Sequence, residues 1–262
     1  MDLNTLIIIP ARLGSTRVPN KNLRNINEKP LIYYSINAAL NVTGSRVIVS
    51  TDSTEIANYS QSLGAEVPFL RPVNLSGATS SSISVIIHTL SKLIETNDII
   101  PDLIIFKPPT NPFLKSSSIQ AMLDLKLKNR DVDSVMSIFV PKVSALSYLS
   151  HSLEDKKIQT QIYDINGVRL YDNERSQDRP LSYASSPACK ITETKYFLQN
   201  YIDKGLLPEQ STGPTFNYRN ACGYVIDNLE AIDIDTMDDI LLAEIIMKYG
   251  AELLDRNSYL HL

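Results

Sequence analysis

Short runs of β-favouring apolar residues alternate with stretches of helical period along the first half of the chain. Leu6-Ile7-Ile8-Ile9 and Arg46-Val47-Ile48-Val49-Ser50 have continuous apolar centres, which mark strands buried on both faces of a parallel sheet. Val67-Pro68-Phe69-Leu70 reads as a third short strand, 102–107 as the next, and 134–140 as the last of the regular series. Pro30 opens a helix with Ile32, Ile36 and Leu40 on one face, and Ser53 is placed to cap a helix that ends near Leu63, with Gly64 as its C′ residue. The stripe Ile83, Ile86, Ile87, Leu90 and Ile94 predicts a third helix, and 116–128 a fourth. Strand and helix in alternation predict an α/β fold with right-handed crossovers.

From 141 to 214 this texture fades into weak periodicity with many polar residues, as in a functional insertion or an oligomerisation arm. Order returns with a strand at 221–226 and an extended piece at 231–236. Thr236 with Asp239 then forms a capping-box pattern for a terminal helix carrying Ile240, Leu241 and Ile245. The expected organisation is an α/β domain made of 1–140 and 215–262, interrupted by an inserted segment over 141–214.

With 262 residues, 43% of them apolar and 21% charged, the chain can bury an ordinary core. A net charge of -4 argues against nucleic acid as a partner. The two cysteines, Cys189 and Cys222, lack metal-site spacing and read as reduced and structural. No stretch reaches the ~18 apolar residues that a membrane helix needs, and no basic region precedes the first apolar run. No membrane partner is expected, and the expected location is cytoplasmic.

Against the acidic background, the loop after the first strand stands out. Pro10 ends the strand, Gly14 permits a turn, and Arg12, Arg17 and Lys21 place three cations within ten residues. The segment has neither Walker A nor dinucleotide-fingerprint spacing. It reads either as a polyphosphate grip built from side-chain charge and backbone N–H groups, or as a solvated basic loop. Asp233 and Asp235 form the second candidate. In an extended piece, both carboxylates leave one face while Ile232 and Ile234 enter the core, and a divalent cation relieves their repulsion. Alternatively, Asp235 caps the following helix and Asp233 is solvated. Together, cations and an acidic pair in one α/β domain meet the needs of metal-dependent nucleotidyl transfer.

Here the chain resembles a known family. Ile8-Ile9-Pro10-Ala11-Arg12, Pro19 to Leu23, Val49-Ser50-Thr51-Asp52, Leu70-Arg71-Pro72, Thr79 to Ile83, Pro109-Thr110-Asn111-Pro112 and Ile232-Asp233-Ile234-Asp235-Thr236 resemble, in order, the motifs of the CMP-sialic acid synthetases, the acylneuraminate cytidylyltransferases. The resemblance implies a three-layer α/β/α Rossmann-like nucleotidyltransferase. It implies transfer of CMP from CTP to the anomeric hydroxyl of a nonulosonic 2-keto sugar acid, with Mg²⁺, by a homodimer whose insertion reaches the second subunit.

Carried over by position, Arg12, Lys21 and Asp235 are implied as catalytic. Ala11, Leu13, Arg17 and Asn22 would complete the triphosphate loop, Arg71 with Ser81 and Ser82 would hold the cytidine, and Asp233 with Asp235 would bind Mg²⁺. Lys107, Thr110, Arg175 and Gln177 are the implied sugar-acid contacts. Departures cluster on the sugar side: Pro108 stands for a family Gln, Leu114 and Lys115 lie where a family Arg is missing, and Ser186-Pro187-Ala188 replaces Asn-Gly-Ala. The stretch 14–19 is closer to the Kdo cytidylyltransferases, which makes a Kdo-type enzyme the first alternative and a non-catalytic nucleotide-binding homologue the second.

Overall fold

The computed structural model describes residues 3–15, 17–77, 80–141, 151–154, 157–160 and 183–257. In chain order these form β1 (Thr5–Pro10), the two-residue strands β2 (Asn25–Ile26) and β3 (Lys29–Pro30), α1 (Leu31–Leu40), β4 (Ser45–Ser50), α2 (Thr54–Ser62), α3 (Ser82–Glu95), β5 (Leu103–Phe106), α4 (Ser116–Lys128) and β6 (Ser134–Phe139). There follow β7 (His151–Glu154), β8 (Lys157–Thr160), β9 (Ala184–Glu193), a single turn α5 (Thr194–Phe197), β10 (Ala221–Val225) and α6 (Met237–Asn257).

The central sheet has the order β10-β6-β9-β5-β1-β4. β1 runs parallel to β4 and β5, and β10 parallel to β6, while β9 is antiparallel to both of its neighbours. Alternation along β1 sorts its side chains into two layers. Ile7 and Ile9 join α1, α2 and α4 residues such as Ile32, Ile36, Ile56 and Met122. Leu6 and Ile8 join Ile83, Ile86 and Leu90 of α3 with Phe197. That is the three-layer α/β/α sandwich expected, and it accounts for a first strand apolar on both faces. Ser53 Oγ accepts from the N–H of Ile56 at 3.3 Å, and Gly64 follows α2 with φ of +100°, as the capping pattern predicts.

Two expectations need correction. Residues 67–70 are not a strand: one bridge, Ile48 to Glu66, is made before Pro68 removes the next donor. More consequentially, β9 falls inside the stretch read as an insertion and is a central strand of the main sheet. Its polar residues hid it, because they are satisfied inside the sheet and not by solvent. The hydroxyls of Thr192 and Ser134 lie 3.1 Å apart, and Ser137 Oγ donates to the carbonyls of Ser186 and Cys189. Pro187 is tolerated because the register with β6 shifts there, leaving a bulge that asks no N–H of it.

Candidate active site

A third apolar cluster lies at the carboxyl end of β1. Val18, Ile26, Leu31, Ile234, Ile240 and Ala243 are buried together. Val18 belongs to the loop after β1, while Ile234 belongs to the acidic segment before α6. Their packing presses the two candidate motifs, more than 200 residues apart in sequence, against each other. The hydrophobic residues inside the polar motifs therefore assemble the site.

Arg12, Arg17, Lys21, Asn22, Thr110 and Asp235 face one cleft. Lys21 Nζ donates to the Ile234 carbonyl at 2.7 Å and to Asp235 Oδ1 at 3.1 Å, and Arg17 reaches Asp235 Oδ2 at 3.1 Å. Lys21 is mostly buried, with a side chain 14% exposed, whereas Arg17 is 66% exposed. The loop is held by its own backbone. The N–H of Ala11 donates to the Ser50 carbonyl, that of Leu13 donates to Asp52 Oδ1 at 3.0 Å, and Asn22 Nδ2 donates to the Arg12 carbonyl at 2.8 Å. Asn20 adopts a left-handed conformation with φ of +51°, which turns the chain so that Lys21 points back into the cleft. Of the two readings of this loop, a solvated basic segment does not fit a lysine so enclosed.

Ala11 is buried and serves the loop as backbone, and Leu13 has an exposed side chain. Arg71, Ser81 and Ser82 are not among the residues that line this cleft. Arg71 is buried, donating from Nε to Ser76 Oγ at 3.1 Å, and its burial pulls the guanidinium pKa below the ordinary value. Ser81 caps α3, accepting from the N–H of Ser84, and donates to the Ser211 carbonyl at 2.8 Å. Arg12 ties the loop after β1 to the segment between β4 and α3 by donating to the Gly77 carbonyl.

The acidic segment is not a sheet strand. The Ile234 N–H donates to the Thr110 carbonyl at 2.7 Å, and Asn111 Nδ2 donates to the Ile232 carbonyl at 2.9 Å, so the flanks of Asp233 are tied to the Pro-rich turn after β5. The cap of α6 is the reciprocal Thr236–Asp239 pair, which leaves the Asp235 carboxylate to the cleft. Asp233 Oδ1 is buried with no hydrogen-bond partner. Burial raises its pKa, Thr110 opposes the rise, and the charge of Asp235 adds to it. An orphaned, partly desolvated carboxylate beside a second one suits a divalent cation. Among the described residues no cluster of three or more His, Cys, Asp or Glu could hold a metal alone, so phosphate oxygens and water would complete its shell.

Lys107 is corrected. Its side chain is fully buried, 0% exposed, and Nζ donates to Ser35 Oγ at 2.7 Å, so it lies under the turn and not in the cleft. Arg175 and Gln177 lie outside the described residues. Sequence reasoning gave no role to Asp52 or Asn111, although both sit inside the quoted motifs. Their signal was a polar residue at the carboxyl end of a strand, where α/β sheets place ligands.

Known proteins resemble this chain in sequence and in fold. The chain is 31% identical to the CMP-N,N'-diacetyllegionaminic acid synthase of Legionella pneumophila, across 96% of this chain and 100% of that one. It is 29% identical to the pseudaminic acid cytidylyltransferase of Campylobacter jejuni, across 95% and 99%. In fold it is similar to the CMP-2-keto-3-deoxy-manno-octonic acid synthetase solved with CTP, with a TM-score of 0.65 at 16% identity over 94% of this chain and 99% of that one. No described helix is long and apolar enough to cross a membrane. The family model for cytidylyltransferases matches residues 6–205, and the chain belongs to that family.

Proposed function

We propose that this protein transfers CMP from CTP to the anomeric hydroxyl of a nonulosonic 2-keto sugar acid, releasing pyrophosphate. The observation that carries the reading is the cleft in which Arg12, Arg17 and Lys21 meet Asp235, with the orphaned Asp233 oxygen beside it. The two relatives that span nearly the whole chain are named for a legionaminic and a pseudaminic acid, which supports the substrate class. In the reaction, the sugar oxygen attacks the α-phosphorus of CTP, the bond from that phosphorus to the bridging oxygen breaks, and pyrophosphate leaves as the hydroxyl proton is released.

Arg12, Arg17 and Lys21 draw in the triphosphate and stabilise the charge that grows on the leaving pyrophosphate. With CTP bound, Lys21 and Arg17 exchange their Asp235 partner for phosphate oxygens. Arg71 and the Ser81-Ser82 turn hold the cytidine, and Thr110 lies where the sugar acid approaches. Asp233 and Asp235 hold Mg²⁺, which supplies charge neutralisation at the reacting phosphate when bound. Catalysis is otherwise a matter of positioning.

The working form is a cytoplasmic homodimer. Its support is an exposed apolar face on α6, where Leu241, Leu242, Ile245 and Tyr249 are each more than 40% exposed. Light scattering at micromolar concentration tests this, and a strict monomer refutes it.

The reaction is tested by pyrophosphate release with CTP and Mg²⁺ against N-acetylneuraminic, legionaminic, pseudaminic and Kdo acids, with and without EDTA. Release with one nonulosonic acid, abolished by EDTA, is expected. Release with Kdo alone would favour the second reading, which the 14–19 stretch and a 32% identical Kdo cytidylyltransferase of Wigglesworthia glossinidia brevipalpis, matched across 75% of this chain, support. CTP binding with no release would leave a nucleotide-binding protein without catalysis.

A further inference from the structure

Lys107 carries an ammonium into the interior, and among the described residues no carboxylate pairs with it. Its three donors have three acceptors: Ser35 Oγ at 2.7 Å, the Pro108 carbonyl at 3.3 Å and the Asn111 carbonyl at 3.4 Å. A buried ammonium is costly unless its bonds serve something, and an apolar residue would fill the same space without that cost.

Two of the three acceptors lie in one turn. Residues 108–112 read Pro-Pro-Thr-Asn-Pro, so three of the five have no backbone N–H with which the turn could brace itself. Lys107 supplies donors that the turn lacks. On its other side the same turn binds the acidic segment at two points. The Thr110 carbonyl accepts from the N–H of Ile234 at 2.7 Å, and Asn111 Nδ2 donates to the Ile232 carbonyl at 2.9 Å. These bonds bracket Asp233, and Asp235 follows two residues after it. Lys107, the turn and the carboxylates thus form one continuous chain of short contacts from the core beside α1 to the cleft.

We propose that Lys107 is a positioning residue for cytidylyl transfer: from within the core it fixes the 108–112 turn, and through that turn the backbone that presents Asp233 and Asp235. The inference rests on the function proposed above. It assigns Lys107 no contact with substrate, and it explains why a lysine so placed is useful without reaching the cleft.

Substitution K107M removes the donors while keeping length and apolar volume, and N111A cuts the next link. In K107M the melting temperature should change by only a few degrees, because the Ser35 hydroxyl can still donate to the Pro108 carbonyl, and the KM for CTP should stay within threefold, because Arg12 and Asn22 are braced outside the turn, on the Gly77 carbonyl and the Arg12 carbonyl. The kcat should fall about tenfold or more, and the Ile234 amide should exchange its hydrogen about tenfold faster. N111A should show the same split, and the double variant should lose no more than about threefold beyond N111A alone, since both act along one path.

A K107M protein with wild-type kcat and an unchanged Ile234 exchange rate would overturn the proposal. So would single losses that multiply in the double variant. If K107M does not fold, N111A decides: wild-type kcat there refutes the path. Absence of turnover in the wild type would instead refute the reaction, while the exchange rates would still judge the positioning.

Discussion

Replacing Asp235 by Asn keeps the shape of the side chain and removes its charge, so it separates the chemistry of the cleft from its construction. In the free protein, Asp235 is paired with Lys21 and Arg17 at 3.1 Å each, but its side chain is 38% exposed. Ion pairs of that exposure contribute about 0–1 kcal/mol, and removing the charge also relieves repulsion on Asp233. D235N should therefore unfold within about 1 kcal/mol of wild type. CTP should bind as well or better, because Lys21 and Arg17 lose a competing anion. Turnover should behave differently. Loss of one preorganised electrostatic group from a reacting site costs about 3–4 kcal/mol, or 10²–10³ in rate. Pyrophosphate release at saturating CTP and sugar acid, titrated with Mg²⁺, reads the loss directly, and calorimetric CTP binding checks that the cleft is intact. A D235N protein that turns over within threefold of wild type at the same Mg²⁺ concentration would refute the assignment of this carboxylate to the metal.

Lys21→Met removes a mostly buried cation and should lower kcat/KM for CTP by about 10–100-fold, as expected for a charged hydrogen bond of about 1.5–3 kcal/mol, with little change in melting temperature. His88 is 4% exposed, stacks edge-on against Phe69 and has no hydrogen-bond partner on either ring nitrogen. Burial, with the charges of Lys92 and Arg71, drives its pKa down to about 4 from 6.5. The unfolded chain therefore binds the extra proton between pH 6.5 and 4, and wild type should lose about 3 kcal/mol of stability from this residue as pH falls through that window. Urea unfolding of H88F should show that acid slope reduced; equal slopes would exclude His88 as its source. Arg46 bridges Glu66 and Asp98 at 2.7 and 2.8 Å near the opposite end of the sheet from the cleft, so R46M should lower the melting temperature by a few degrees in low salt, less in 1 M salt, and leave kcat unchanged.

How far the sequence could be read follows from where each residue's energy comes from. Strands buried on both faces and helices with one apolar stripe depend on local pattern, so β1, β4, α2 and α3 were legible, down to the caps at Ser53 and Thr236. β9 was not, because its buried Thr192 hydroxyl and the carbonyls of Ser186 and Cys189 are satisfied by Ser134 and Ser137, some 50 residues away. The cations and carboxylates of the cleft stood out by charge against an acidic chain. What brings them together did not, since Val18 and Ile234 look like ordinary apolar residues until they pack on each other. Lys107 was misplaced for a related reason. A lysine next to a site motif suggests solvent and ligand, and only the three acceptors around Nζ reveal an interior post.

The antiparallel strand at the centre of the sheet bears on how the chain reaches this state. β4, β1 and β5 lie on one side of β9, β6 and β10 on the other, and the ladder hydrogen bonds joining the two groups all run through it. A nascent chain can assemble the first group once residue 106 is available, but β6 must wait about fifty residues for the strand that joins it. Until then β5 and β6 each present an open, apolar edge, the kind of surface on which chains pair with the wrong partner. Shortening the chain before residue 184 should therefore yield aggregates and not a smaller folded domain, whereas the late arrival of β9 would make closure of the sheet a slow, long-range step in refolding.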